Sequence, residues 1–168
     1  KMAKIVELLG KLVKSSENKP SGLVINNDNK KVDTILPPVV ETPPIPKYQW
    51  QTPDVARHSV GLICNEEGLS LNDKNLITAV IQQESQFNPK AISKINSNGT
   101  QDFGLCQFNN GKNKNGISYW IGKGADFENI DEVLNNPDKN VRIMIREYKK
   151  GNLNLWVGYK SGAYKKWL

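Results

Sequence analysis

At 168 residues with 38% hydrophobic content, the chain has material for one domain of ordinary size plus an appendage. Its 23 Lys and Arg against 17 Asp and Glu give a net charge of +6, which suits an anionic polymer as partner: nucleic acid, an acidic membrane surface or an anionic cell wall. The excess is spread evenly, +3 over residues 1–50 and +3 over 51–168, so the concentrated basic stripe of a nucleic-acid binder is absent, no apolar run reaches the roughly 18 to 20 residues of a membrane-crossing helix, and no stretch reads as a signal peptide.

Along the chain, Met2, Ile5, Val6, Leu9, Leu12 and Val13 recur at helical spacing with Lys4, Glu7, Lys11 and Lys14 between them. This predicts an amphipathic docking helix over 1–14, whose apolar face needs a protein partner or a membrane surface. Residues 15–33 are rich in Ser, Asn, Asp and Lys, a composition that cannot bury enough surface to order itself. Pro37, Pro38, Pro43, Pro44, Pro46 and Pro53 then predict an extended, semi-rigid stretch, so 15–51 reads as a flexible and then Pro-rich linker. Two roles fit it: a spacer, which is the default for such composition, or a strap that contacts the domain through Val39, Val40, Ile45 and Trp50.

The folded domain is expected over 52–168. Thr52-Pro53-Asp54 has the form of a helix start, predicting a helix over 55–68. Leu71-Asn72-Asp73 reads as the cap of a second helix over 74–87, stopped by Asn88-Pro89. From 91 to 116 the Asn-, Gly-, Ser- and Lys-rich sequence predicts loops and a small hairpin, and helices are expected again at 118–121, 130–135, 138–150 and 156–167. The fold class is therefore α+β, mainly helical, with one small β-hairpin insert.

Glu84 stands out. Leu76, Ile77, Val80 and Ile81 form an apolar stripe and position 84 falls on it, so the carboxyl is expected to face inward. Burial disfavours the charged form, and a Glu that stays protonated near neutral pH can serve as a general acid. The plain alternative is a helix-end Glu that reaches solvent or pairs with a lysine. Metal chemistry is not expected, since His58 is the sole histidine and reads as an ordinary helix residue, while Cys64 and Cys106 lack ligand spacing. No cofactor is expected either. The two cysteines fit either one disulfide or two buried thiols.

The run Glu84-Ser85-Gln86-Phe87-Asn88-Pro89-Lys90-Ala91, followed by Gly99 and then Gly104-Leu105-Cys106-Gln107, resembles the lysozyme-like superfamily, in particular the SLT-type lytic transglycosylases with their E-S-x-F-x-P-x-A and G-L-M-Q blocks. Asn140-Val141 and Trp156 to Gly162 resemble that family's later blocks, so the likeness extends over about 54–168. Cys106 stands where Met is common, Lys160 where Asn is, and Met144 where Gly often follows the helix start. The resemblance implies that Glu84 protonates the glycosidic oxygen between N-acetylmuramic acid and N-acetylglucosamine, with peptidoglycan as partner and no nucleic acid.

Asp102, two residues before Gly104, resembles instead the second carboxylate of the animal lysozyme pattern T-D-[YF]-G-x-x-Q-x-N; its alternative role is a turn cap in the hairpin. A lytic transglycosylase needs no such carboxylate, because the muramic C6 hydroxyl attacks internally. Gln107 and Asn109 alternate with Cys106 and Phe108, which on an extended segment turns both amides to one face, where they could bind sugar. Ser85 and Tyr159 complete the expected substrate-binding set. Such a chain would act in the cell envelope, periplasm or extracellular space, or on a virion; the alternative is a structural component of a phage particle or secretion apparatus that carries a lysozyme-like domain.

Overall fold

The computed structural model describes residues 46–168 except residue 117. The docking helix read over 1–14 and most of the linker lie outside the described residues.

Helix α1 (Pro53–Glu66) begins as the sequence indicates. Thr52 Oγ1 accepts from Val55 N at 3.4 Å, and Pro53 occupies the first turn, where its missing N–H costs nothing. Helix α2 (Leu71–Ser85) starts three residues earlier than expected, because Ser70 is its cap: the Ser70 hydroxyl accepts from Asp73 N at 3.2 Å and donates to the Asp73 carboxylate at 2.7 Å. It also ends two residues earlier than expected, where Gln86 (φ 55°) and Phe87 (φ 62°) turn into the left-handed region before proline can act.

Strands β1 (Asp102–Phe103) and β2 (Phe108–Asn109) pair antiparallel, with Asp102 opposite Asn109 and Phe103 opposite Phe108. The turn between them, Gly104-Leu105-Cys106-Gln107, does not reach solvent; Leu105 and Cys106 are fully buried. Helix α3 (Ile130–Asn135) and helix α4 (Pro137–Lys149) follow as the sequence predicts. The helix expected at 118–121 is absent: bridges from Lys112 to Ser118 and from Ile121 to Phe127 close a loop there, since the five positions between Gly116 and Gly122 are too few to nucleate a helix. The helix expected over 156–167 is broken at Gly162 (φ 76°) into α5 (Val157–Lys160) and a 3₁₀ turn (Ala163–Trp167).

One core joins these elements. Ala56, Val60, Ile63 and Cys64 of α1 bury with Ile77, Val80 and Ile81 of α2 and Val141, Met144 and Ile145 of α4. The end of the Pro-rich stretch lies against this domain: buried Ser59 exchanges two 2.8 Å hydrogen bonds with the Gln49 backbone, Trp50 packs on the core, and Arg142 reaches Tyr48 at 2.9 Å and Glu66 at 2.7 Å. Residues 47–50 are thus strap in form.

Glu147 is a buried anchor at the end of α4. Burial pushes its carboxyl up, but hydrogen bonds from Asn152 (2.9 Å), Lys150 (2.9 Å) and Arg146 (2.8 Å) outweigh it and hold the group at about 2. With the folded value below the unfolded one of about 4.3, this stabilisation is complete above the unfolded value and is lost as pH falls toward 2. We predict that Glu147→Gln lowers stability by about 2 kcal/mol at pH 7 and by much less at pH 2.5, measured by denaturant unfolding at the two pH values.

Candidate active site

Glu84 sits in the last turn of α2, just ahead of the two left-handed residues. A bulky, buried Phe87 at positive φ is a genuine outlier, and strain of about 1 to 3 kcal/mol persists only where packing fixes it; here the Arg57 guanidinium lies 4.5 Å from the Phe87 ring centre. The strained corner ends the helix so that Glu84 projects into a pocket of about 90 Å³ lined by Asp102, Gln107, Phe108, Asn109, Trp120, Leu155, Trp156 and Val157.

The Glu84 carboxyl is raised above the ordinary glutamate value. Burial is the largest cause, the hydrogen bond from Gly158 N to Glu84 Oε1 at 3.0 Å opposes it, and the nearby Asp102 charge adds to the rise. The apolar wall responsible is built from aromatic packing. Phe108 meets Trp120 at 5.2 Å, Phe127 at 5.1 Å and Trp156 edge-on at 5.9 Å, and Trp156 Nε1 donates to Cys106 O at 2.6 Å. Arg146 grips Asp126 with two bonds of 2.7 and 2.8 Å and so fixes the loop that carries Trp120 and Phe127.

Asp102 lies on β1 with both oxygens occupied by amide donors: Asn109 Nδ2 at 2.7 Å on Oδ1 and Asn96 Nδ2 at 3.2 Å on Oδ2. Thr100 Oγ1 accepts from the same two amides at 2.9 and 3.1 Å, so the side chains form a closed network that orients the carboxylate. Both of its oxygens are acceptors in this network.

Of the residues singled out from the sequence, Glu84, Asp102, Gln107 and Asn109 line one pocket, while Ser85 and Tyr159 do not. Ser85 Oγ lies 3.4 Å from Ile81 O and faces a separate depression beside Trp50. Tyr159 stacks on Tyr164, ring centres 5.1 Å apart. Gln107 is not extended as the alternation suggested. Its φ of 54° places it in the hairpin turn, where its Nε2 donates to Gly104 O at 2.9 Å and Ala91 O at 3.3 Å, leaving the carbonyl oxygen to offer to the pocket. The cysteines are two separate buried thiols, with burial pushing Cys64 up to about 11 and raising Cys106 well above its ordinary value. His58 is exposed, and the described residues contain no cluster able to hold a metal ion.

Three features escaped sequence reasoning. Trp120 and the pair Leu155 and Val157 form pocket wall, and the only sequence signal for Trp120 is a large aromatic stranded in a Gly-, Asn- and Lys-rich loop. The third is the approach of Gly158: a Cβ there would lie 2.5 Å from Glu84 Oε1 and 2.8 Å from Gln83 Cγ. Glu84 Oε1 ends a flexible side chain but Gln83 Cγ does not, so we predict that Gly158→Ala costs about 1 to 3 kcal/mol of stability and displaces the Glu84 carboxyl. Catalytic turnover should fall about tenfold or more, and the alkaline limb of the pH profile should move upward as the displaced carboxyl loses the backbone hydrogen bond that favours its ionised form.

The transglycosylase SLT domain model matches residues 63–167, and the chain belongs to that family. It is also similar to Lysozyme 2 of Lucilia sericata, 40% identical over 43 residues, which are 26% of this chain and 30% of that protein. The chain therefore spans about 30% of the length of that relative.

Proposed function

We propose that this protein cleaves the glycan strands of peptidoglycan between N-acetylmuramic acid and N-acetylglucosamine, with Glu84 as the general acid and Asp102 as the carboxylate that faces the oxocarbenium-like centre. The observation that carries the reading is the pairing of two carboxyls in one pocket with opposed surroundings. Glu84 is set in an apolar wall that favours its protonated form. Asp102 receives two amide hydrogens that suit an anion. A protonated Glu84 donates to the glycosidic oxygen as the bond weakens; Asp102 stabilises the positive charge that develops at the sugar carbon. Gln107 and Asn109 border the sugar, and Trp120 offers a flat apolar surface to a pyranose face.

Two outcomes compete after bond cleavage. Membership of the SLT family favours internal attack by the muramic C6 hydroxyl and a 1,6-anhydro end. The hydrogen-bonded Asp102 favours hydrolysis and a reducing end, and the hydrolytic outcome is the one we adopt. The test is mass spectrometry of the muramic ends released from purified peptidoglycan, with Asp102→Asn alongside. Hydrolysis predicts reducing ends and a fall in rate of about 100-fold or more in the variant; anhydro ends from both proteins at similar rates would assign the transglycosylase reaction instead. By this reading the protein acts wherever peptidoglycan is met: in the cell envelope, the periplasm, the extracellular space or on a virion.

A further inference from the structure

Around Trp50 lies a second concave surface whose lining shares no residue with the Glu84 pocket. On one side of the indole is a depression of about 430 Å³ lined by Gln51, Thr52, Ser85, Gln86, Asn88 and apolar neighbours, all uncharged. On the other is one of about 320 Å³ lined by Tyr48, Pro89, Lys90, Leu134, Asn135 and Pro137. Trp50, Gln51 and Pro89 line both, so the two depressions adjoin and form one concave surface around the tryptophan.

Three polar side chains on this groove are uncommitted. Among the described residues, neither the Trp50 indole N–H nor the side-chain amides of Gln51 and Gln86 take part in a hydrogen bond, although most polar side chains of the domain do. Gln86 is also one of the two left-handed residues that end α2, so its exposed amide is presented by a fixed corner. Trp50 is half-buried and anchored on the core, which gives a rigid ring where a surface tryptophan would otherwise be mobile.

An aromatic face flanked mainly by neutral amides and hydroxyls, with Lys90 the one charged residue of the lining, fits a ligand with an apolar ring face and a rim of hydroxyl and acetamido groups better than an extended apolar peptide. We infer that the Trp50 groove is a second saccharide-binding site, taking a length of N-acetylhexosamine glycan outside the cleft. This rests on the proposed function for its choice of polymer. A protein holding the strand at two places would remain on an insoluble wall between cleavage events, because the second contact acts at high effective concentration.

The test uses ¹⁵N-labelled Glu84→Gln protein titrated with chitotetraose, following the Trp50 indole N–H and the Gln51 and Gln86 side-chain amides together with the Trp120 indole. The inference predicts shifts at Trp50, Gln51 and Gln86 with a midpoint distinct from that of Trp120. It also predicts that Gln51→Ala, which leaves the core and the corner after Glu84 intact, reduces retention on insoluble peptidoglycan roughly threefold to tenfold while cleavage of short soluble fragments is unchanged. Movement of Trp120 with silence at Trp50, Gln51 and Gln86 would overturn the second site and leave the proposed cleavage standing. Silence at all four would overturn both.

Discussion

Glu84→Gln is expected to lower peptidoglycan cleavage by at least 1,000-fold while leaving the fold intact or more stable. On the proposed function, the rate loss follows from removing the carboxyl that, among the described lining residues, is held toward its protonated form; general acid catalysis alone contributes roughly 100- to 10,000-fold. The stability gain follows from linkage. Burial raises the folded-state value of Glu84 above the unfolded one, so the group's favourable contribution is complete below about pH 4.3 and disappears as pH rises through the raised value. At pH 8 the native protein must hold a half-buried carboxylate that water would solvate better; glutamine has no such cost. A higher thermal midpoint for the variant at pH 8, with no difference at pH 4, would separate chemical loss from misfolding. In the native enzyme, activity should fall on the alkaline side through that same raised value, since the acid must carry its proton.

Gly104→Ala is expected to have the largest effect on stability of any single methyl addition in the domain, about 3 kcal/mol. Gly104 holds φ at 76°, a left-handed conformation that costs other residues about 1 to 2 kcal/mol. Its Cβ would lie 2.6 Å from Asn140 Oδ1, 2.8 Å from Val133 Cγ1 and 3.2 Å from Val133 O. None of these neighbours can withdraw easily: Val133 and Asn140 are fully buried, and the Asn140 amide donates to Val133 O and Asn136 O at 2.9 Å each. Overpacking adds about 1 to 3 kcal/mol. Because Gly104 begins the buried turn that joins Asp102 to Asn109, the same change should disturb the carboxylate network, and denaturant unfolding together with the Asp102-dependent rate would read both.

The sequence made the helical frame legible because its signals are local. The Thr52-Pro53 start and the apolar stripe of α2 are each contained within a few residues. The same holds for Glu84, whose place on the stripe follows from helical spacing alone. What was not legible depends on distant packing. The left-handed Gln86 and Gln107 carry none of the glycine that would announce such a conformation, so the early end of α2 and the turned Gln107 could not be read from propensity. Trp120 reaches the pocket only because Asp126 binds Arg146 and Phe127 packs on Phe108, pairings between loops and helices far apart in the chain. The amides on Asp102 arrive from Asn96 and Asn109, six residues before it and seven after, brought together by the β1–β2 register.

The most direct test of the central claim is to digest purified peptidoglycan with the native protein and with Glu84→Gln and to identify the muramic ends by mass spectrometry. The account predicts new reducing ends from the native protein and none above background from the variant. Equal product from both, or no product from the native protein, would contradict it.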